Sequence, residues 1–169
     1  MLLPNVRRTW APRAQTPVIR HRYSHKRISA ISVVTVSPRR QRLGHYLQFH
    51  QRHLSHVEIA TFLRYLLRQL RGHIVLLWDG ISIHNGPHIR ALLARHPRLH
   101  PERFPAYAPE LNPDEFVWAH YKHHMANGRP DNLTELATVL CRHVRRVRRS
   151  QDLLRSFVTA SNLPTFLAT

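Results

Sequence analysis

Two places in this chain put carboxylates where a hard cation could be held. Asp79 ends the apolar run Ile74 to Trp78, and the pair Asp114 and Glu115 stands just after Asn112-Pro113, which reads as the opening of a helix. Divalent cations such as Mg²⁺ take oxygen ligands, and a protein builds such a site by bringing carboxylates together from separate elements with few cations in the immediate shell. Each residue also has a plain structural reading. Asp79-Gly80 suits a simple turn after a buried strand. Glu115, three residues past Asn112, suits a capping box, a role compatible with holding a metal at the same helix end. His84, in the loop after Asp79, has three readings: ordering the metal site, contacting a phosphate, or standing in solvent.

The elements that must position these groups follow from hydrophobic spacing. Ile28 to Val36 and Gly44 to His50 are β-branched or aromatic runs separated by Ser37-Pro38-Arg39-Arg40, which predicts an antiparallel pair. Ser55 with Glu58 makes a capping box, and Ile59, Phe62, Leu63, Leu66, Leu67 and Leu70 then recur at helical spacing up to Gly72. The run Ile74 to Trp78 predicts a strand buried on both faces, with Asp79 at its carboxyl end. A short helix over Asn85 to Arg95, a weaker strand over Leu99 to Phe104 and a helix from Asn112 to about Ala126 come next. A last long helix opens at Asp131 or Asn132 and buries Leu133, Leu136, Ala137, Leu140, Val144 and Val147. This order predicts an α/β fold with a mixed sheet flanked by helices. Ligands in such sheets gather at the carboxyl ends of the strands, where Asp79 stands.

With 169 residues the chain has the length of one domain, and 26 Lys and Arg against 9 Asp and Glu leave a formal charge of +17. That charge points to a polyanionic partner, nucleic acid first, with a ribosomal role or an anionic lipid surface as the other readings. Arg142, Arg145, Arg146, Arg148 and Arg149 load one face of the last helix, and Arg39, Arg40 and Arg42 crowd the turn between the first two strands. Both are candidate tracks for a DNA backbone, the first also readable as the wet face of an amphipathic helix. The 15 His invite a zinc site, yet His120, His123 and His124 lack the Cys or second His pair that completes a tetrahedral set. The single Cys141 excludes an internal disulfide, and the start MLLPNVRRTW lacks the apolar core of a signal peptide. The longest apolar stretch is far below the roughly 20 residues that span a bilayer. A cytoplasmic protein with no membrane role is expected.

The stretch Phe104 to Lys122, FPAYAPELNPDEFVWAHYK, resembles the signature of DDE transposases of the mariner-like superfamily, above all their bacterial insertion-sequence branch. There a Pro-x-Tyr-x-Pro-x-Leu-Asn-Pro-x-Glu-x-x-Trp string carries the last catalytic acid. Upstream, VLLWDGISIHNG resembles the segment bearing the second acid, with Asp79 and His84 at the matching places. The 35 residues from 80 to 114 that separate Asp79 from Glu115 fit the family's spacing. RRTWAPRAQTPV resembles the stretch just after the family's first catalytic strand, so the resemblance covers nearly the whole chain. It implies an RNase H-like fold and metal-dependent DNA cleavage and strand transfer, with two Mg²⁺ or Mn²⁺ ions held by three carboxylates in the complete enzyme. It casts Asp79 and Glu115 as catalytic metal ligands, His84 and Asn112 as supporting residues, and Trp118 as core packing. Asp114 is the runner-up to Glu115, because the family carries an apolar residue at that place. The implied partners are transposon ends and target DNA, with a homo-oligomer in the full-length enzyme and a location at the bacterial nucleoid.

The departure lies at the front. A DDE enzyme carries its first Asp on its first strand, and no Asp or Glu precedes Glu58 here. The expected organisation is a core with its first strand missing: residues 1–27 an arm that follows that strand, 28–150 the DDE endonuclease core, and 151–169 a C-terminal helix and tail. Such a fragment of an insertion-sequence transposase is expected to be inactive alone. The alternatives are a non-catalytic basic nucleic-acid-binding protein derived from a decayed element, and one part of a split transposase.

Overall fold

The computed structural model describes residues 10–15, 18, 28–39, 41–126 and 132–163. Most of the arm expected over 1–27, Arg40, Asp131 and the tail from 164 lie outside the described residues. β1 (Ser29–Ser37) and β2 (Arg42–His50) form an antiparallel hairpin, in register from Ser29 opposite His50 to Ser37 opposite Arg42. Alternation divides its side chains between two faces. Ile31, Val33 and Tyr46 lie on one, and Val34, Val36, Leu43, Leu47 and Phe49 on the other. Among the described residues the outer edge of β2 is met by side chains and not by a further strand. Arg148 Nε donates to the His45 carbonyl at 2.9 Å, and the Gln151 amide both accepts from Leu43 N and donates to Leu43 O at 2.9 Å.

α1 (His56–Gln69) opens with the expected capping box between Ser55 and Glu58. Its stripe of Ile59, Phe62, Leu63, Leu66 and Leu67 packs against Ile31, Val33 and Tyr46 of the hairpin. The same stripe also covers Leu76 of β3 (Ile74–Trp78), Ile89 and Leu92 of α2 (Pro87–Arg95), and Leu99 of β4 (Leu99–Arg103). β3 and β4 pair in parallel, from Ile74 opposite Leu99 to Trp78 opposite Arg103. Arg98 ties the end of α1 to the start of β4 by donating to the carbonyls of Leu67, Leu70 and Gly72. On the hairpin's other face, α3 (Pro113–His124), α4 (Leu133–Arg149) and α5 (Gln151–Ala160) build a second core around Val117, Tyr121, Leu140, Val144, Val147, Leu154 and Phe157. Among the described residues, no helix is long and apolar enough to cross a membrane.

Two expectations need correction. The pairing is mixed, but the four strands form two separate pairs, and no hydrogen-bonded ladder joins β1 to β3 among the described residues. β3 is covered on one face only: Leu76 is buried, whereas Val75 is 66% and Leu77 38% exposed. The physical reason is that α3, α4 and α5 stack on the hairpin, and their core includes no β3 or β4 residue. In α4 the buried stripe narrows to Leu140, Val144 and Val147, with Leu133, Leu136 and Ala137 half-buried. Truncating Leu154, which is fully buried in the second core, to Ala is expected to cost roughly 3 kcal/mol. Val75→Thr, on the open face of β3, should change stability by no more than about 0.5 kcal/mol. Urea denaturation of both variants checks the contrast.

Candidate active site

Asp79 is the first residue past the carboxyl end of β3, and its side chain is 52% exposed. A single turn of 3-10 helix, Ser82–Asn85, folds back toward it. This places His84 Nε2 2.8 Å from Asp79 Oδ1. The imidazole stacks on Trp78, with ring centroids 4.6 Å apart and planes inclined by 22°. A ring held on one face by an indole and at one nitrogen by a carboxylate has little rotational freedom. Asp79 Oδ2 therefore remains the carboxylate's open oxygen. Arg103, which spacing alone did not flag, stands at the carboxyl end of β4 and donates to Asn85 Oδ1 at 2.7 Å, tying the same loop.

The second acid region begins where Asn112 caps α3. Its side chain accepts from Asp114 N at 3.1 Å, with Pro113 in the first turn. Glu115 follows one position on, exposed, and its carboxylate makes no hydrogen bond or ion pair among the described residues. Its backbone N–H, by contrast, closes the first turn onto Asn112 O at 3.1 Å. Asp114 points the other way. Its Oδ2 accepts from Ser32 Oγ on β1 and from Trp118 Nε1 at 3.1 Å, and its Oδ1 lies 3.9 Å from His45 Nε2. Burial pushes the Asp114 carboxyl up to about 6, against the opposing pull of the Ser32 and Trp118 hydrogen bonds. Burial, aided by the nearby Arg148 charge, lowers His45 to about 4. His45 is thus neutral at neutral pH, so its approach to Asp114 is not an ion pair. Its Nδ1 faces Tyr121 Oη at 3.3 Å.

The basic residues separate into two kinds. Arg142, Arg145, Arg146 and Arg149 line an open hollow of about 430 Å³ with Ser150, and none of the four has an ion pair among the described residues. Arg148 leaves that face and bonds the carbonyls of His45 and Leu47, so its guanidinium serves the edge of β2. Arg39 and Arg42 are exposed at the hairpin turn. The structure sets His124 between His120, 4.1 Å away, and His143 of α4, 5.3 Å away, by ring centroids. No group of three or more His, Cys, Asp or Glu among the described residues is arranged to hold a metal ion.

The description "DDE superfamily endonuclease" fits residues 2–137. The chain belongs to this family. No curated protein matches the sequence. Among solved structures, the Mos1 transposase paired-end complex with left transposon end aligns with a TM-score of 0.58 at 16% identity, over 95% of this chain and 52% of that one. The catalytic domain of Mos1 mariner transposase aligns with a TM-score of 0.51 at 14% identity, over 83% of this chain and 84% of that domain. That catalytic domain has been solved with Mn and with Mg, in each case with raltegravir. At such identities the likeness shows the fold, which is RNase H-like. This DDE endonuclease chain spans about half the length of the Mos1 chain in the paired-end complex.

The buried pair His45 and Asp114 gives the family member a pH signature. His45 falls from 6.5 to about 4 on folding, so its contribution is present above pH 6.5 and lost as pH falls through 4. Asp114 rises from 3.8 to about 6, so its contribution is present below pH 3.8 and lost as pH rises through 6. Each effect is on the order of 3 kcal/mol, and the two oppose. Relative to the parent, His45→Leu should lose less stability between pH 6.5 and 4, and Asp114→Asn should lose more. Urea midpoints at the two pH values measure both slopes, and equal slopes in all three proteins would contradict the assignment.

Proposed function

We propose that this chain serves in DNA transposition, in the manner of an insertion-sequence transposase, and contributes Asp79 and Glu115 to a divalent-metal site that cuts and joins DNA strands. The observation that carries this reading is a division of labour among the acids. Asp79 keeps one oxygen open while His84 holds the other, Glu115 is free at the start of α3, and Asp114 is engaged by the fold. Exposed carboxylates clear of guanidinium groups are the donors that Mg²⁺ or Mn²⁺ favours. Two such ions, when bound, stabilise the attacking and leaving oxygens at phosphorus. His84 keeps the Asp79 carboxylate from rotating away, and Asn112 fixes the turn from which Glu115 projects.

Neither acid supplies the carboxylate that the family carries on its first strand, since no Asp or Glu precedes Glu58. The sheet is divided between β1 and β3. We read the third acid as arriving on a strand that pairs in that division, supplied from beyond these residues or by a separately encoded piece. Residues 28–150 then act as the catalytic core, and 151–169 as a C-terminal helix and tail. The partner is DNA, transposon ends and target, met along Arg142, Arg145, Arg146 and Arg149 and at the hairpin turn with Arg39 and Arg42, the sequence run that also holds Arg40. A homo-oligomer at a bacterial nucleoid, in the cytoplasm, is the setting this reading implies.

The 169 residues alone should bind duplex DNA with log affinity falling steeply against log salt, and should not cut it. Joined to a strand carrying the third acid, they should nick DNA in Mn²⁺. Asp79→Ala or Glu115→Ala should then abolish nicking and spare DNA binding, because metal ligands act on the chemical step. Replacing Arg142, Arg145, Arg146 and Arg149 with Gln should flatten the salt dependence. A second reading, a non-catalytic DNA binder, is favoured by the lack of a three-ligand cluster among the described residues. No nicking by the joined chain despite retained DNA binding, or no Mn²⁺ binding at all, would select it.

A further inference from the structure

Asp114 is an acid that the metal chemistry proposed above does not use, and its surroundings are unusual for a residue at an exposed helix start. Its side chain is 17% exposed. Both of its hydrogen-bond donors are side chains, one from β1 (Ser32) and one from the next turn of its own helix (Trp118). Its other oxygen faces His45 of β2, and neither that oxygen nor His45 Nε2 has a hydrogen-bond partner. The same side of α3 then carries Val117 and Tyr121, both fully buried against the hairpin core. Positions 114, 117 and 121 fall on one helical face, since residues three and seven apart lie within about 60° of each other at 3.6 residues per turn. Glu115 is about 100° round from that face, and its exposure follows from this rotation.

At the lower part of α3 the rotation is held by apolar burial. In the first turn it is held by a polar clamp, because the groups opposite are Ser32 and His45 and not apolar side chains. We infer that Asp114 is the positioning residue for Glu115: by accepting the Ser32 hydroxyl and the Trp118 indole N–H, it locks the first turn of α3 against β1 in the rotation that presents Glu115 to the metal. This rests on the reading of Glu115 as a metal ligand. Asp114 touches neither metal nor DNA. The clamp requires an acceptor at position 114 and not a charge, so Asn can replace it and Ala cannot.

The test is the Mn²⁺ affinity of the 169-residue chain, followed by electron paramagnetic resonance, with circular dichroism confirming that each variant is folded. Asp114→Ala should weaken Mn²⁺ binding about tenfold or more, as loss of an orienting partner does at metal sites. Asp114→Asn should stay close to the parent. Ser32→Ala should weaken binding in the same direction, and the Ser32→Ala, Asp114→Ala double variant should be no worse than Asp114→Ala alone, since both remove one contact. Glu115→Gln should abolish binding at this site. If Asp114→Asn is as damaging as Glu115→Gln, Asp114 is itself a ligand and the inference is overturned. Unchanged affinity in folded Asp114→Ala overturns it as well. A Glu115→Gln chain that binds like the parent overturns the metal reading of Glu115 and the inference with it.

Discussion

The burial of one helix holds this molecule together across a division in its sheet. Among the described residues the β1–β2 hairpin and the β3–β4 pair share no ladder, and an isolated two-stranded ribbon is marginal in water. The stripe on α1 from Ile59 to Leu67 touches both, covering Ile31, Val33 and Tyr46 on one side and Leu76 and Leu99 on the other. The two exposed acids stand on opposite sides of this division. Asp79 ends β3, and Glu115 rides on α3, which packs on the hairpin. Their relative placement is therefore set through α1, by side chains far from either carboxylate. The capping box at Ser55 and the Arg98 bonds at the other end fix where that helix starts and where its chain leaves.

Electrostatics imposes a second constraint. In a chain of charge +17, any exposed carboxylate risks capture by an arginine. Even Glu58, buried by its capping role, is reached by Arg52 at 2.7 Å. Asp79 meets an imidazole instead, and Glu115 meets no cation among the described residues. The arginines of α4 gather on its outer face, away from the hairpin, while Arg148 is turned inward onto backbone carbonyls. This keeps two oxygen donors available for a hard cation while the surface attracts a polyanion.

Much of this was legible in the sequence because local rules governed it. The strand Ile74–Trp78 and the helix caps at Ser55, Asn112 and Asn132 stand where turn chemistry and periodicity placed them. The divided sheet was not legible, because hydrophobic spacing shows which residues avoid water and not which neighbour covers them. Val75 and Leu77 illustrate this, being apolar and yet largely uncovered. The burial of Asp114 left a trace that could have been followed: it stands three residues before Val117 and seven before Tyr121, on their face. Arg148, one turn past Val144 and about 40° round from it, likewise borders the buried stripe of α4, where a long side chain can reach the β2 edge.

The most direct test of the proposed metal site is to add Mn²⁺ to isotopically labelled chain and follow the paramagnetic broadening of its resonances. The site described here predicts early and selective loss of signals from Asp79, His84 and Glu115, with Glu102, Glu135 and Asp152 retained. Broadening centred on His120, His124 and His143, or spread evenly over all exposed acids, would contradict it.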